Sequence, residues 1–384
     1  MKFIINNKEL KDIVKNFKDN MIKTTYPCSD FFRVETNDGK LSFSYANGNE
    51  YIEHSTKTTC TEDLSKFPIL EIDKIDKILN TIDDTYDVHM YTKEEDEANF
   101  FVYIKWKGKR VAVKIQGIDN SNFLSPNFQG IEEIANIKIG DLTSIFNICR
   151  GYVTKGGNTP IYETIKLIMD NNSITSYAMN TTRVNGVCCV KPVASCSNTT
   201  LCVTANSKKA INNIPKDEFI KIVTNGNMFG FAKDDYIYLT KMYAGTFNDI
   251  SKIFSKQYVI SATIDRADFI NCLTRLDAVN TSKKVYLAIA NNQVILYDFN
   301  STNTEYVDTI AKAGGDVKKV FFISDLIQAA TTIGDTELHL GFVYGSQMTI
   351  NTKDVSIFVS TVSENTEEPK KDDSKKKGEE DVKS

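Results

Sequence analysis

Residues 1–17 read MKFIINNKELKDIVKNF. A short apolar run at 3–5 leads into a segment where Leu10, Ile13, Val14 and Phe17 recur at three- and four-residue steps, the mark of an amphipathic helix. The same phrase, a strand-like run into an amphipathic helix, returns at 137–152 and at 258–276. The spacing, about 120–135 residues, is long for a solenoid unit and right for a whole domain. A second phrase follows each first one: several short strands, then another apolar helix. At 70–82 it is carried by Ile72, Ile75, Ile78, Leu79 and Ile82. At 204–214 it is weaker, with Ala205, Ala210, Ile211 and Ile214 stopped by Pro215. At 323–333 it is Ile323, Leu326, Ile327, Ala330 and Ile333. The order predicts an α+β chain of three tandem domains, 1–130, 131–256 and 257–362. Each holds two helices among many strands, and a charged tail follows at 363–384.

Composition bounds the function. The 384 residues are 41% apolar and carry a net charge of −4, enough for two or three cored domains. No long uncharged apolar run predicts a membrane span. The opening is not read as a signal peptide, because its apolar run is short and charges follow at once. A cytoplasmic protein with no membrane partner is the expectation. The eight cysteines include no C-x-x-C pair, and the chain has three histidines, His54, His89 and His339. No metal and no cofactor is expected.

An enzyme is weighed and set aside. The acidic pairs Asp83/Asp84, Glu94/Glu95 and Asp234/Asp235 are adjacent in sequence, so their carboxyls diverge in turns. Gly156 and Gly157 lack the rest of a phosphate loop. Nothing in the chain reads as a catalytic constellation.

The cations are more informative. In the first helix Lys8, Lys11, Lys15 and Lys18 form a row displaced from the apolar stripe by about 130° on a helical wheel. Two readings stay open: a solvated face diluted by Glu9, Asp12 and Asp19, or a row facing phosphates. Arg150, Lys155, Lys208, Lys209 and Arg266 occupy comparable places in the later copies. If all of these helices faced one channel, the summed field would attract phosphate without reading sequence. The tail, rich in Lys, Glu and Asp from 364 onward, cannot bury apolar surface and is expected to be disordered.

These segments resemble the bacterial DNA polymerase III beta subunit, the sliding clamp. MKFIINNKELKDIVKNF looks like that family's amino terminus. IYETIKLIMDNNSITSYAMNTTRVNGVCCV at 161–190 looks like its central strand–turn region, YAGTFNDISKIF at 243–254 like a later motif, and 317–333 like the second helix of its third domain. The resemblance covers 1–362. It implies a DNA clamp fold, half of a closed ring completed by a head-to-tail homodimer that encircles duplex DNA. It also implies a hydrophobic cleft that takes short linear peptides from DNA polymerase and the clamp loader.

Carried over position by position, the cleft holds Met179, Thr181, Thr182, Arg183, Val184, Asn248, Ile253, Val359 and Val362. Arg183 and Val184 match the family's arginine and leucine classes. Asn180, Thr181 and Thr182 depart from its aspartate, glycine and histidine, and Asn248 replaces a proline. The usual carboxy-terminal motif is missing. These departures imply a shifted peptide preference and, with the Asn- and Lys-rich composition, a divergent phage, plasmid or distant bacterial clamp. Lys23 sits where the family commonly has an arginine. Arg110 and Ile115 in the first domain, and Leu276 in the third, are implied at the chain-to-chain contact. Two other readings remain: a β-rich structural or interaction protein, such as a virion component, and a degenerate clamp-like platform that no longer binds polymerase.

Overall fold

The first helix begins where the sequence supplies its own cap. In the computed structural model, strand Lys2–Asn6 runs straight into helix α1, Asn7–Asn20. The structure describes residues 1–363 apart from 23, 127–128, 157–158, 213, 244, 255–257, 299–301 and 344–346, and the side chains of 96–97. The charged tail therefore lies outside the described residues. The Asn6 side chain accepts the Lys8 N–H at 3.0 Å and satisfies one of the orphan donors of the first turn. Leu10, Ile13, Val14 and Phe17 are all buried, as their spacing predicts.

The same order of elements runs three times. Opening strands Lys2–Asn6, Glu132–Lys138 and Ile260–Asp265 feed α1, α3 (Ile139–Arg150) and α5 (Arg266–Val279). Hairpin strands follow each helix. Next comes a second helix: α2 (Ile72–Leu79), the 3-10 helix Ala205–Ile211, and α6 (Ile323–Thr332). Three closing strands end each copy, the last being Val113–Gln116, Tyr236–Lys241 and Val355–Ser360. A single helical turn, α4 (Ser251–Phe254), precedes the third copy. The middle copy departs from the helix expected at 204–214. Thr204 caps the Asn206 N–H at 3.3 Å, but Asn206 and Ser207 are weak helix formers, and only a 3-10 helix forms.

The chain packs as two compact units. One comprises Met1–Ser144, Met169–Ser173 and Pro192–Tyr243; the other comprises Ile145–Ile168, Ile174–Lys191 and the chain from Ala244 onward. The middle copy is thus shared between them, and backbone ladders show why. In the first unit, Tyr236–Lys241 pairs antiparallel with Glu50–Thr59, Tyr238 opposite Ile52. In the second, Val355–Ser360 pairs with Asn185–Pro192, Phe358 opposite Gly186. The last strand of one copy thus hydrogen-bonds to a hairpin strand of the copy before it.

Each unit has its own core. In the first, Phe3 meets Phe67 and Phe43 edge-on at 5.3 and 6.0 Å, and α1 drives Phe17 against Phe32 and Tyr45. In the second, α5 is capped by Asp265, which accepts the Asp268 N–H at 2.9 Å. It buries Phe269, Cys272, Leu273 and Leu276.

Candidate functional site

The second unit presents an apolar floor built on a glycine. A Cβ at Gly186 would stand 2.5 Å from the Phe358 ring and 2.8 Å from the Ala178 carbonyl, so only glycine lets that ring settle onto the hairpin strand. Phe358 meets Phe254 of α4 at 5.7 Å, and Phe254 meets Tyr177 at 6.0 Å. Phe254 and Ile253 are half-buried. Phe247 and Ile250 anchor the preceding segment in the core, Phe247 edge-on to Tyr162 at 5.3 Å. Burial pushes the Tyr177 hydroxyl up and the Cys188 thiol beside it to about 11, so the floor is uncharged at neutral pH. Tyr177, Phe247, Phe254 and Phe358 were not singled out from the sequence, although Phe247 and Phe254 stand seven apart in the 243–254 motif.

The turn at 179–184 is held tightly. The Asn180 carboxamide oxygen accepts the N–H groups of Thr182 and Arg183, both at 3.0 Å. The Thr154 hydroxyl donates to the Met179 carbonyl at 3.2 Å and accepts the Thr181 N–H at 2.9 Å. Val184 takes a φ of 51°, unusual for a β-branched residue, and is 43% exposed. Thr181 and Thr182 are exposed, as is Asn248.

Two expected rim residues are placed differently. Arg183 does not open toward a ligand: its Nη1 lies 2.7 Å from the Asp325 carboxylate and donates to the Ser324 hydroxyl at 2.9 Å, clamping the turn to the start of α6. Val359 is 1% exposed and Phe358 0%, so both are core, and it is the Phe358 ring that packs beneath Phe254. Val362 is half-buried and donates its N–H to the Val320 carbonyl at 3.0 Å.

The lysine row on α1 is half neutralised. Lys11 pairs with Asp84 at 3.1 Å; Lys18 pairs with Asp76 at 2.7 Å and Asp73 at 3.5 Å, which raises the Lys18 pKa. These acids belong to α2 and the turn after it, packed alongside α1. Lys8 and Lys15 are exposed and carry no ion pair among the described residues. Arg150, Lys155 and Lys209 are exposed and Lys208 half-exposed. Arg266 is a correction: its Nη1 donates to the Ile333 carbonyl at 3.1 Å and its Nε is buried, so it staples α5 to the end of α6 instead of facing solvent. Lys23 lies outside the described residues.

At the expected chain-to-chain contact, Arg110 is exposed and Ile115 sits on Val113–Gln116, the edge strand of a four-stranded sheet. Leu276 is 1% exposed, committed to the α5 core and closed to a partner.

No family model matches the chain, and no curated relative does either. Solved structures do. A putative DNA polymerase III beta subunit from Eubacterium rectale ATCC 33656 superposes with a TM-score of 0.83 at 16% identity, over 94% of this chain and 100% of that one. This is the sliding-clamp fold. The Bacillus subtilis sliding clamp gives a TM-score of 0.81 at 13% identity, and a Pseudomonas aeruginosa sliding clamp bound to griselimycin 0.80 at 12%; both cover 94% of this chain and 99% of theirs. The α+β clamp fold implied by the resemblance therefore spans 94% of the chain. No helix among the described residues is long and apolar enough to cross a membrane.

Proposed function

We propose that the chain is a DNA sliding clamp, a processivity factor that surrounds duplex DNA in the cytoplasm and tethers polymerase. The observation that carries the reading is the end-to-end match to sliding clamps, covering 94% of this chain and essentially all of theirs. Such a role asks for no catalysis. It needs weak, sequence-independent phosphate contacts that permit sliding, for which Lys8, Lys15, Arg150, Lys155 and Lys209 are the available cations. The cleft of Tyr177, Ile253, Phe254 and Val184 is our candidate seat for a short peptide from a polymerase or clamp loader. Its altered rim favours a sequence different from the bacterial norm.

Ring closure follows from the internal repeat. In copies two and three the last strand pairs with a hairpin strand of the preceding copy. The last strand of copy one, Val113–Gln116, ends its sheet, with no further strand paired beyond it among the described residues. The hairpin strand equivalent to Glu50–Thr59 in copy three is Thr304–Ala313. Its first half pairs with Gln293–Tyr297 on one side, and no described strand pairs on the other. Joining these two edges between two chains gives a head-to-tail homodimer. Tyr306 and Ile310, 57% and 59% exposed, would take the place first given to Leu276.

The decisive experiment loads the protein onto nicked circular plasmid with a clamp loader and then linearises the DNA. A topological clamp slides off the ends, whereas retention on the linear form would overturn the reading.

A further inference from the structure

Residues 101–116, FVYIKWKGKRVAVKIQ, hold Lys105, Lys107, Lys109, Arg110 and Lys114 and no acidic residue, in a chain whose net charge is −4. They form the hairpin of strands Phe101–Trp106 and Val113–Gln116 that ends the four-stranded sheet of the first unit. The register lines up Lys2, Tyr91, Tyr103 and Lys114 in one row across all four strands, and Ile4, His89 and Lys105 in a parallel row. Their alternates, Phe3, Ile5, Val88, Met90, Val102 and Ile104, are buried on the other face. The core therefore uses one face of the sheet only, and the aromatic rings of the other face are surplus to it.

Those rings are arranged with cations over them. Tyr91 and Tyr103 stack at 5.4 Å with planes 15° apart. The Lys114 ammonium lies 3.8 Å from the Phe101 centroid, and that of Lys93 4.5 Å from the Tyr103 centroid. Lys109 stands 5.1 Å over Trp106 at the turn. Phe101, Tyr91 and Tyr103 are half-exposed, and Lys105, Lys107, Lys109, Arg110 and Lys114 are exposed.

We propose that this face binds a single-stranded polynucleotide. On binding, the ammonium groups that rest over the half-exposed rings swing out to the phosphates and unpaired bases take their place on the ring faces; a four-stranded sheet about 14 Å across has room for about two or three bases. A duplex keeps its bases stacked inside and offers the rings nothing, so single strands are preferred. Glu94 and Glu95 stand at the opposite end of the strands from the basic turn, and Glu95 lies 3.5 Å from the Lys93 ammonium, so phosphate is favoured toward Lys105 and the cations of 107–110. The inference is independent of the clamp reading: pairing at the edge of Val113–Gln116 uses backbone groups in the plane of the sheet and leaves this face open.

The test is fluorescence anisotropy of the full chain, with no loader, against fluorescein-labelled dT20, U20 and a duplex of the same length. It is read at about 50 mM and about 200 mM salt. Either single strand should bind more tightly than the duplex, with affinity falling as salt rises; comparing dT20 with U20 tells DNA from RNA. Lys105→Glu/Lys109→Glu, both at exposed positions, should weaken single-strand binding about tenfold. Tyr103→Ala should weaken it about fivefold or more, with circular dichroism showing the fold retained. Lys8→Glu/Lys15→Glu on α1 should leave it within about twofold. Flat anisotropy, tighter binding of the duplex, or equal losses in the α1 and hairpin variants would overturn the proposal, whatever the plasmid experiment gives.

Discussion

Replacing Arg183 with leucine removes one half of an ion pair whose other half is almost out of water. The Arg183 guanidinium stands 2.7 Å from Asp325, and the two side chains are 16% and 3% exposed. Removing one partner of a buried pair costs about 3–5 kcal/mol, because the remaining charge is left without compensation. Two features trim that figure. Arg183 keeps some access to water, and Asp325 lies in the first turn of α6, where the helix's free N–H groups favour an anion. We expect about 2–3 kcal/mol in total. The loss should be local, since the pair joins one turn to one helix. Hydrogen exchange followed by mass spectrometry on peptides covering α6 and the 179–184 turn reads it directly. At tenfold per 1.4 kcal/mol, α6 amides that exchange by local opening should speed up about 30- to 150-fold. The double variant Arg183→Leu/Asp325→Leu should recover much of the loss, because no lone buried charge remains. Unchanged α6 exchange in Arg183→Leu, or a double variant worse than the sum of the singles, would refute the reasoning.

Three further outcomes are expected. His54 packs 4.9 Å from Tyr236 and 5.6 Å from Phe17, and burial lowers its pKa to about 4. The unfolded chain takes the proton near pH 6.5, so the stability from neutral His54 is full above that pH. It is lost as pH falls toward 4, by about 3 kcal/mol; urea midpoints should track this in wild type and flatten in His54→Phe. Ile253→Asp should weaken a labelled polymerase-tail peptide about tenfold or more, by placing a charge at the apolar floor; equal affinity for both proteins would remove the cleft reading. Tyr306→Asp should shift sedimentation from dimer to monomer while circular dichroism stays the same, and a persisting dimer would count against edge-to-edge closure.

Much of the fold was legible because it rests on local rules. Asn6 followed by Leu10, Ile13, Val14 and Phe17 writes a capped amphipathic helix whatever lies around it. The repeat of that phrase fixes the element order, and the resemblance of four segments matched the fold. The site was harder to read. Arg183 matches a motif by type, yet its partner Asp325 lies 142 residues away, and no local pattern announces that pair. Lys11 and Lys18 read as open cations because α2 and its carboxylates enter the picture only once two helices pack. Val359 and Phe358 are adjacent in sequence, and the register against Asn185 and Gly186 decides which of them meets Phe254.

The sequence by itself thus determined the order of helices and strands and that the pattern runs three times. Hydrophobic period and capping act over a few residues, so they survive without knowledge of the rest. Only the tertiary structure decided which cations remain unpaired, which apolar side chains form a floor and which are simply core, and where backbone ladders divide the chain into two units. Those outcomes depend on partners far apart in sequence. Charge pairing and strand register are set by proximity in space, and one strand shifted by one residue would present a different set of side chains.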